Sequence, residues 1–361
     1  MKFLILGGTL FLGRRIVEAA VARGHEVTLF NRGIHGRDLF PSLERIAGDR
    51  TLSLHPLEGR RWDAVVDTSG FTPSQVRASA EFLAGAVEHY TFISSIAAYA
   101  DFQTIGIAES SPAAALSPEE LSAAERVEVK GRVTSAAYGG WFGALKAMCE
   151  QAAEAALPGK TLIVRPGLIV GPHDPSGRFA YWVARVAKGG MVLAPGRPDR
   201  GIQLIDVGDL AEWIVGMAEA GGTGVYNATG PDGIPTMGRF LEECRRITGG
   251  GAEFVWVGED FLLDNGVTPW VELPLWISER PDGAKYGFLS IDSSKAIGSG
   301  LRFRPLDRTI FDTFEWLSAG PAIPRDDQNR SIMSAAREAE LLRLWSAAPG
   351  EWRDGHETRN G

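Results

Sequence analysis

Cysteine is scarce in this chain: Cys149 and Cys244 are the only two among 361 residues, and neither stands in a metal-type or redox-type spacing. That scarcity speaks against a disulfide framework and against a thiolate metal site, so no metal is expected and a reducing cytoplasm is the expected compartment. An excess of basic residues is missing as well. Lys and Arg number 37 against 45 Asp and Glu, a formal net charge of -8, whereas a protein that tracks a nucleic-acid backbone carries the opposite balance. No nucleic-acid partner is expected. Long apolar runs are absent too: nothing approaches the ~20 residues needed to span a bilayer. The opening run from Phe3 to Leu6 passes straight into glycines without a cleavage signal, as a strand does and a leader does not. No membrane partner is expected.

What is present is enough apolar material for a full core, 44% of the chain with 23% charge. Phe3 to Leu6 ends in Gly7-Gly8-Thr9, and a helical pattern with Leu12, Ile16, Val17, Ala20 and Val21 follows. After Arg23-Gly24-His25, Val27 to Phe30 forms a second apolar run, so the chain opens with a βαβ unit whose crossover should be right-handed. Asp63–Asp67, Tyr90–Ser94 and Leu162–Arg165 repeat the buried-strand signature between alanine-rich helical segments. The expected fold is α/β, a Rossmann-type doubly wound parallel sheet with a smaller carboxyl-terminal substrate lobe.

The expected boundaries are interleaved. Residues 1–172 form the dinucleotide-binding domain and 202–230 return to it, 173–201 and 231–318 build the substrate lobe, and 319–361 hold one helix near Ala335–Trp345 and a disordered tail from Gly350. Between Asp101 and Ala137 the periodicity weakens, which predicts a long excursion ahead of the helix that carries Lys146.

Gly7-Gly8-Thr9-Leu10-Phe11-Leu12-Gly13 closes the first strand and opens a helix, the setting in which backbone N–H groups and a helix N-terminus hold a pyrophosphate. The second strand ends in Asn31-Arg32, with no acid for ribose hydroxyls, and this favours NADP over NAD. Asp49 has two readings, acceptor for an adenine amine or cap of a turn.

On these residues the chain resembles an extended or atypical short-chain dehydrogenase/reductase of the NAD-dependent epimerase/dehydratase group, in its Gly-Gly-x-x-x-x-Gly subgroup. The resemblance runs through roughly residues 1–318 and is carried further by Ser94-Ser95 to Tyr99, by Arg165-Pro166-Gly-Leu168 to Pro172, by Arg200, and by Gln203 to Asp209. It implies that Pro166 and Leu168 touch the cofactor, that Ser95 binds the reacting oxygen, and that Lys146 binds the nicotinamide ribose and lowers the pKa of a tyrosine four residues earlier. Residues four apart share a helix face, which explains that spacing. Here the earlier residue is Phe142, which has no proton to give.

Three readings of Phe142 stay open: an engineered Tyr→Phe substitution, a natural loss with chemistry redirected or abandoned, and replacement by Tyr138 one turn earlier. Tyr99, His173, Arg178 and Arg200 are candidate substrate contacts, with packing, loop surface and an ion pair to Asp206 or Asp209 as the respective alternatives. The expected activity is oxidation, reduction, epimerisation or dehydration at a hydroxyl or carbonyl of a sugar-like or natural-product substrate, by a monomer or homodimer. The alternative is a catalytically silent dinucleotide-binding sensor or structural protein.

Overall fold

The computed structural model describes residues 1–129, 131–230, 235–280, 285–320 and 332–348. Expectations for the tail from Gly350 fall outside them.

The chain divides into two compact units, the first made of Met1–Ile169, Leu204–Asp232 and Ile291–Phe303. At its centre is a seven-stranded sheet. In chain order its strands are β1 (Lys2–Leu6), β2 (Glu26–Asn31), β3 (Glu44–Ala47), β4 (Trp62–Asp67), β5 (Val87–Ile93), β6 (Thr161–Pro166) and a last strand at Gly224–Ala228. Across the sheet they run last strand, β6, β5, β4, β1, β2, β3. Every pair is parallel.

Both faces of the sheet are covered, which is why the strands read as unbroken apolar runs. Alternate side chains serve opposite faces: Phe3 and Ile5 join a core under helix α1 (Phe11–Ala22) and the helix Val207–Glu219, while Leu4 and Leu6 join the core on the other side. That second core takes Val76, Ala80 and Leu83 from α2 (Pro73–Leu83), and Cys149 and Ala153 from a long helix at Phe142–Ala156.

The stretch 101–137 is more than a surface loop. Ser117 and Glu120 form a capping box that starts α3 (Pro118–Glu125), the single turn α4 (Ser135–Tyr138) follows, and Ala124 and Tyr138 pack on Leu145 of α5 (Phe142–Ala156). Alanine-rich and free of β-branched residues, α5 stops at Leu157 because Pro158 follows.

Residues 291–303 lie with the first unit, where the sequence reading placed them in the substrate lobe. The reason is long-range: Ile107 and Ile291 form a bridge, and Asn227 on the last strand donates to the Asp292 carbonyl at 2.9 Å. No local pattern reveals such contacts.

The second unit comprises Val170–Gln203, Gly233–Ser290 and Arg304–Gly361. Helices Arg178–Ala187, Met237–Thr248 and Leu306–Ser318 pack together in it, and strands Gly190–Pro195 and Ala252–Val257 pair in parallel. The tryptophan-rich character of this part of the chain becomes core: Trp182 and Trp276 are fully buried. A helix at Ala335–Ala347 includes the one expected near Ala335–Trp345 and belongs to this unit, docked through Glu338, which accepts from Arg185 Nε at 2.7 Å. Among the described residues no helix is long and apolar enough to cross a membrane.

Candidate cofactor and active site

The turn after β1 is built to be tight. Gly7 and Gly8 both have positive φ, +111° and +86°, a conformation that side-chain-bearing residues rarely adopt. Gly8 is also walled in by Ile5, Val17 and Leu29, and a Cβ on Gly13 would press on the Gly8 backbone at 3.1 Å. The third glycine therefore lets α1 start against the strand. Leu10, the residue before α1, provides no side-chain cap, and the first turn holds no acid, so no carboxylate of that turn offsets the positive end of the helix. Those are the requirements of a diphosphate site.

At the end of β2, Asn31 is a brace: its Nδ2 donates to the Gly7 carbonyl at 2.9 Å and its Oδ1 accepts from Gly33 N at 3.0 Å. Arg32 is exposed and donates to the Gly131 carbonyl at 2.8 Å. Asp49 caps a turn, accepting from the Thr51 amide and hydroxyl at 2.9 and 2.7 Å.

The helix α5 opens at Phe142, with Lys146 and Glu150 on successive turns of the same face. Gly143 explains how closely this helix approaches the turn after β5, since any side chain there would run into the Ala97 carbonyl. Ser95 begins that turn, and its hydroxyl oxygen accepts from Ala97 N at 3.1 Å. The turn that Ser95 begins and α5 are therefore in contact through Ala97 and Gly143. Pro166 ends β6 and Leu168 follows it after Gly167, which leaves no room for a side chain against Thr229.

Lys146 is 5% exposed. Its ammonium donates to the Ile93 carbonyl at 2.6 Å and the Gly70 carbonyl at 2.9 Å, and lies 4.4 Å from the Phe92 ring centre and 5.4 Å from that of Phe71. Burial holds its pKa below the ordinary lysine value, with the neighbouring Cys149, Asp67 and Glu150 opposing. The Cys149 thiol is buried, which pushes it up to about 12.

No phenol stands beside this lysine on α5. Phe142 and Tyr138 both pack on Phe71, at ring-centre distances of 6.4 and 6.0 Å. Tyr138 precedes the break at Gly139, lies outside α5, is 5% exposed, and has its pKa raised by burial and by Cys149. Tyr99 is committed elsewhere: its hydroxyl donates to Asn227 Oδ1 at 2.6 Å and its ring underlies the Arg165 guanidinium at 4.6 Å. Arg165 in turn makes a two-pronged pair with Glu150, at 2.9 and 2.6 Å, and Glu150 also accepts from Ser94 Oγ at 2.5 Å. Glu150 and the loop Asp67–Phe71 are not among the residues that the sequence motifs mark. The signals available were a carboxylate one turn past Lys146 and a Thr-Ser-Gly run at a strand end.

The remaining candidates lie in the second unit. His173, at φ +69°, meets Trp316 in a tilted ring contact at 5.3 Å, and the Arg178 guanidinium lies 5.0 Å from the Trp270 ring centre. Arg200 faces Glu259 at 3.8 Å and Glu279 at 4.0 Å, so its acidic partners differ from the expected Asp206 or Asp209. Asp206 instead caps the helix Val207–Glu219 by accepting from Gly208 N at 2.7 Å. Among the described residues no group of three His, Cys, Asp or Glu is placed to hold a metal.

A sequence model described as the NAD dependent epimerase/dehydratase family matches residues 3–229. No curated protein matches the sequence. Among solved structures, the Bordetella bronchiseptica enzyme WbmH in complex with NAD+ is similar over 89% of this chain and 99% of its own, at 17% identity and a TM-score of 0.62. A Bacillus cereus UDP-glucuronic acid 4-epimerase in complex with NAD is similar over 90% of this chain and all of its own, at 14% identity and a TM-score of 0.60. Human epimerase family protein SDR39U1 with NADPH is similar over 87% and 99%, at 20% identity and a TM-score of 0.57. At such identities the likeness is one of fold.

Proposed function

Because the chain belongs to the NAD dependent epimerase/dehydratase family, we propose that it binds a nicotinamide dinucleotide across the first βα turn and acts on a hydroxyl or carbonyl of a sugar-like or natural-product substrate. The observation that carries this reading is the uncapped, acid-free start of α1 behind Gly7 and Gly8, in the same unit as Ser95 and Lys146. The similar structures named above hold NAD or NADPH in complexes of this fold, which supports the same ligand class here.

The residues present fit such a cofactor. The amides of Thr9 to Leu12 and Gly13 would take the diphosphate, and Arg32, exposed at the end of β2 with no acid beside it, favours the 2′-phosphate of NADP. Pro166 and Leu168 would border the nicotinamide. When bound, the dinucleotide supplies hydride chemistry. Lys146 spends two of its three N–H donors on Ile93 and Gly70, and the third is left for a ribose hydroxyl. Ser95 accepts a bond from Ala97 N, so its own proton is left to orient a substrate oxygen. His173, Arg178 and Arg200 are kept as proposed substrate contacts of the second unit, and Tyr99 is not, because its hydroxyl is held by Asn227.

Proton transfer is the weak step. Positioned acid/base groups contribute ~10²–10⁴ in rate, and Phe142 supplies none. A second reading follows from that single residue: the chain holds the dinucleotide as a sensing or structural ligand with little turnover. Substitution Phe142→Tyr separates the two. Appearance of alcohol oxidation or carbonyl reduction supports the enzyme reading, whereas cofactor retention with no new activity supports the sensor.

A further inference from the structure

The loop that follows β4 touches both halves of the proposed site. Thr68 donates from its amide and hydroxyl to the Leu6 carbonyl, at 3.1 and 2.9 Å, and Ser69 Oγ donates to the same carbonyl at 3.2 Å. Leu6 is the last residue before the glycine turn, and Thr68 Oγ1 fills the space that a side chain on Gly7 would need. Two residues on, the Gly70 carbonyl receives Lys146, and Phe71 carries the rings of Tyr138 and Phe142. A shift of this loop therefore moves the phosphate turn and the lysine together.

What holds the loop is a buried ion pair. Asp67, the last residue of β4, is fully buried, and its Oδ1 accepts from Arg50 Nη1 at 2.6 Å and from Ser69 N at 3.0 Å. Its Oδ2 accepts from Tyr90 OH at 2.9 Å. Arg50 reaches from the segment after β3 and is itself fixed by Ser79 Oγ at 3.1 Å, the Gln75 carbonyl at 3.2 Å and Ser69 Oγ at 3.4 Å. Burial alone would raise the Asp67 carboxyl, yet Arg50 beside it holds it below the ordinary range, so the pair is ionised. A buried ion pair is seldom a net gain in stability over apolar residues of the same volume. Its geometry matters more: one carboxylate oxygen clamps Ser69, the other only Tyr90.

We infer that Arg50 and Asp67 are positioning residues of the dinucleotide site, fixing the loop 68–71 so that the glycine turn and Lys146 keep their spacing. This rests on the cofactor reading above, but it has a readout that does not.

The test contrasts two substitutions on the two carboxylate oxygens. Asp67→Asn removes the charge that binds Arg50 at the loop, and Tyr90→Phe removes only the partner on the far oxygen. Both lower the melting temperature. Hydrogen exchange of the 68–71 amides, followed below both transitions, rises about tenfold in Asp67→Asn and is unchanged in Tyr90→Phe. NADPH affinity by fluorescence titration falls by about tenfold in the first and stays within about threefold in the second. Should Asp67→Asn not fold, Arg50→Gln is measured against the same control. Equal exchange in both variants, or equal loss of affinity at equal loss of melting temperature, overturns the inference. If the unaltered protein binds no NADPH, the cofactor reading fails, and the exchange contrast alone decides for or against the clamp.

Discussion

Lys146 follows Phe142 by one turn of α5, and its ammonium is spent on the carbonyls of Ile93 and Gly70 with no phenol on the adjoining turn. In a Tyr-x-x-x-Lys pair the lysine lowers the phenol's pKa. Here it ties β5 to the loop after β4.

Restoring the hydroxyl tests what that lysine does. In Phe142→Tyr the new phenol sits beside a buried cation and should titrate below the ordinary value near 10, seen as an ultraviolet difference against the unaltered protein. Turnover of a reactive carbonyl with NADPH should rise by ~10²–10⁴. A phenol that titrates at or above 10 would mean that position 142 does not face Lys146.

Removing the lysine separates ribose contact from packing. Lys146→Ala should weaken cofactor binding more than Ser95→Ala, because Ser95 is expected to meet substrate rather than ribose. It should also destabilise by about 1–3 kcal/mol for each orphaned carbonyl, measured by denaturant unfolding. The reverse order of affinities would show that α5 is misassigned as the ribose helix.

His89 predicts how stability depends on pH. The ring is 4% exposed, and one nitrogen donates to the Gly222 carbonyl at 2.8 Å. Burial lowers its pKa below 6.5, and the bond to Gly222 opposes only in part. The unfolded chain therefore takes up the proton first as pH falls: the contribution is complete above 6.5 and is lost as pH drops through the folded value. The melting temperature should fall between about pH 7 and about pH 5, and His89→Gln should flatten that slope. An unchanged slope in the variant would discard the assignment.

The opening βαβ unit was legible because Phe3–Leu6 and Val27–Phe30 are unbroken apolar runs around a glycine turn, and runs buried on both faces leave that mark. That Phe142 and Lys146 share a helix and that Ser95 follows a strand end was legible, because the spacing is a helix and strand-end pattern. The Arg50–Asp67 clamp was not, since 17 residues separate its members and nothing local marks them as neighbours. Arg200's pairing with Glu259 and Glu279 is more remote still in sequence. Tyr138 shows a third limit: one turn before Phe142 on paper, it is cut off from α5 by the break at Gly139, which has φ +51°.

The most direct measurement is a calorimetric titration of the full chain with NADP(H) and NAD(H), repeated on Arg32→Ala. Saturable one-to-one binding is expected, tighter for NADP(H), with the preference lost in Arg32→Ala. Equal affinities in the unaltered chain would remove the role of Arg32, and the absence of any binding at saturating dinucleotide would contradict the account of the first βα turn.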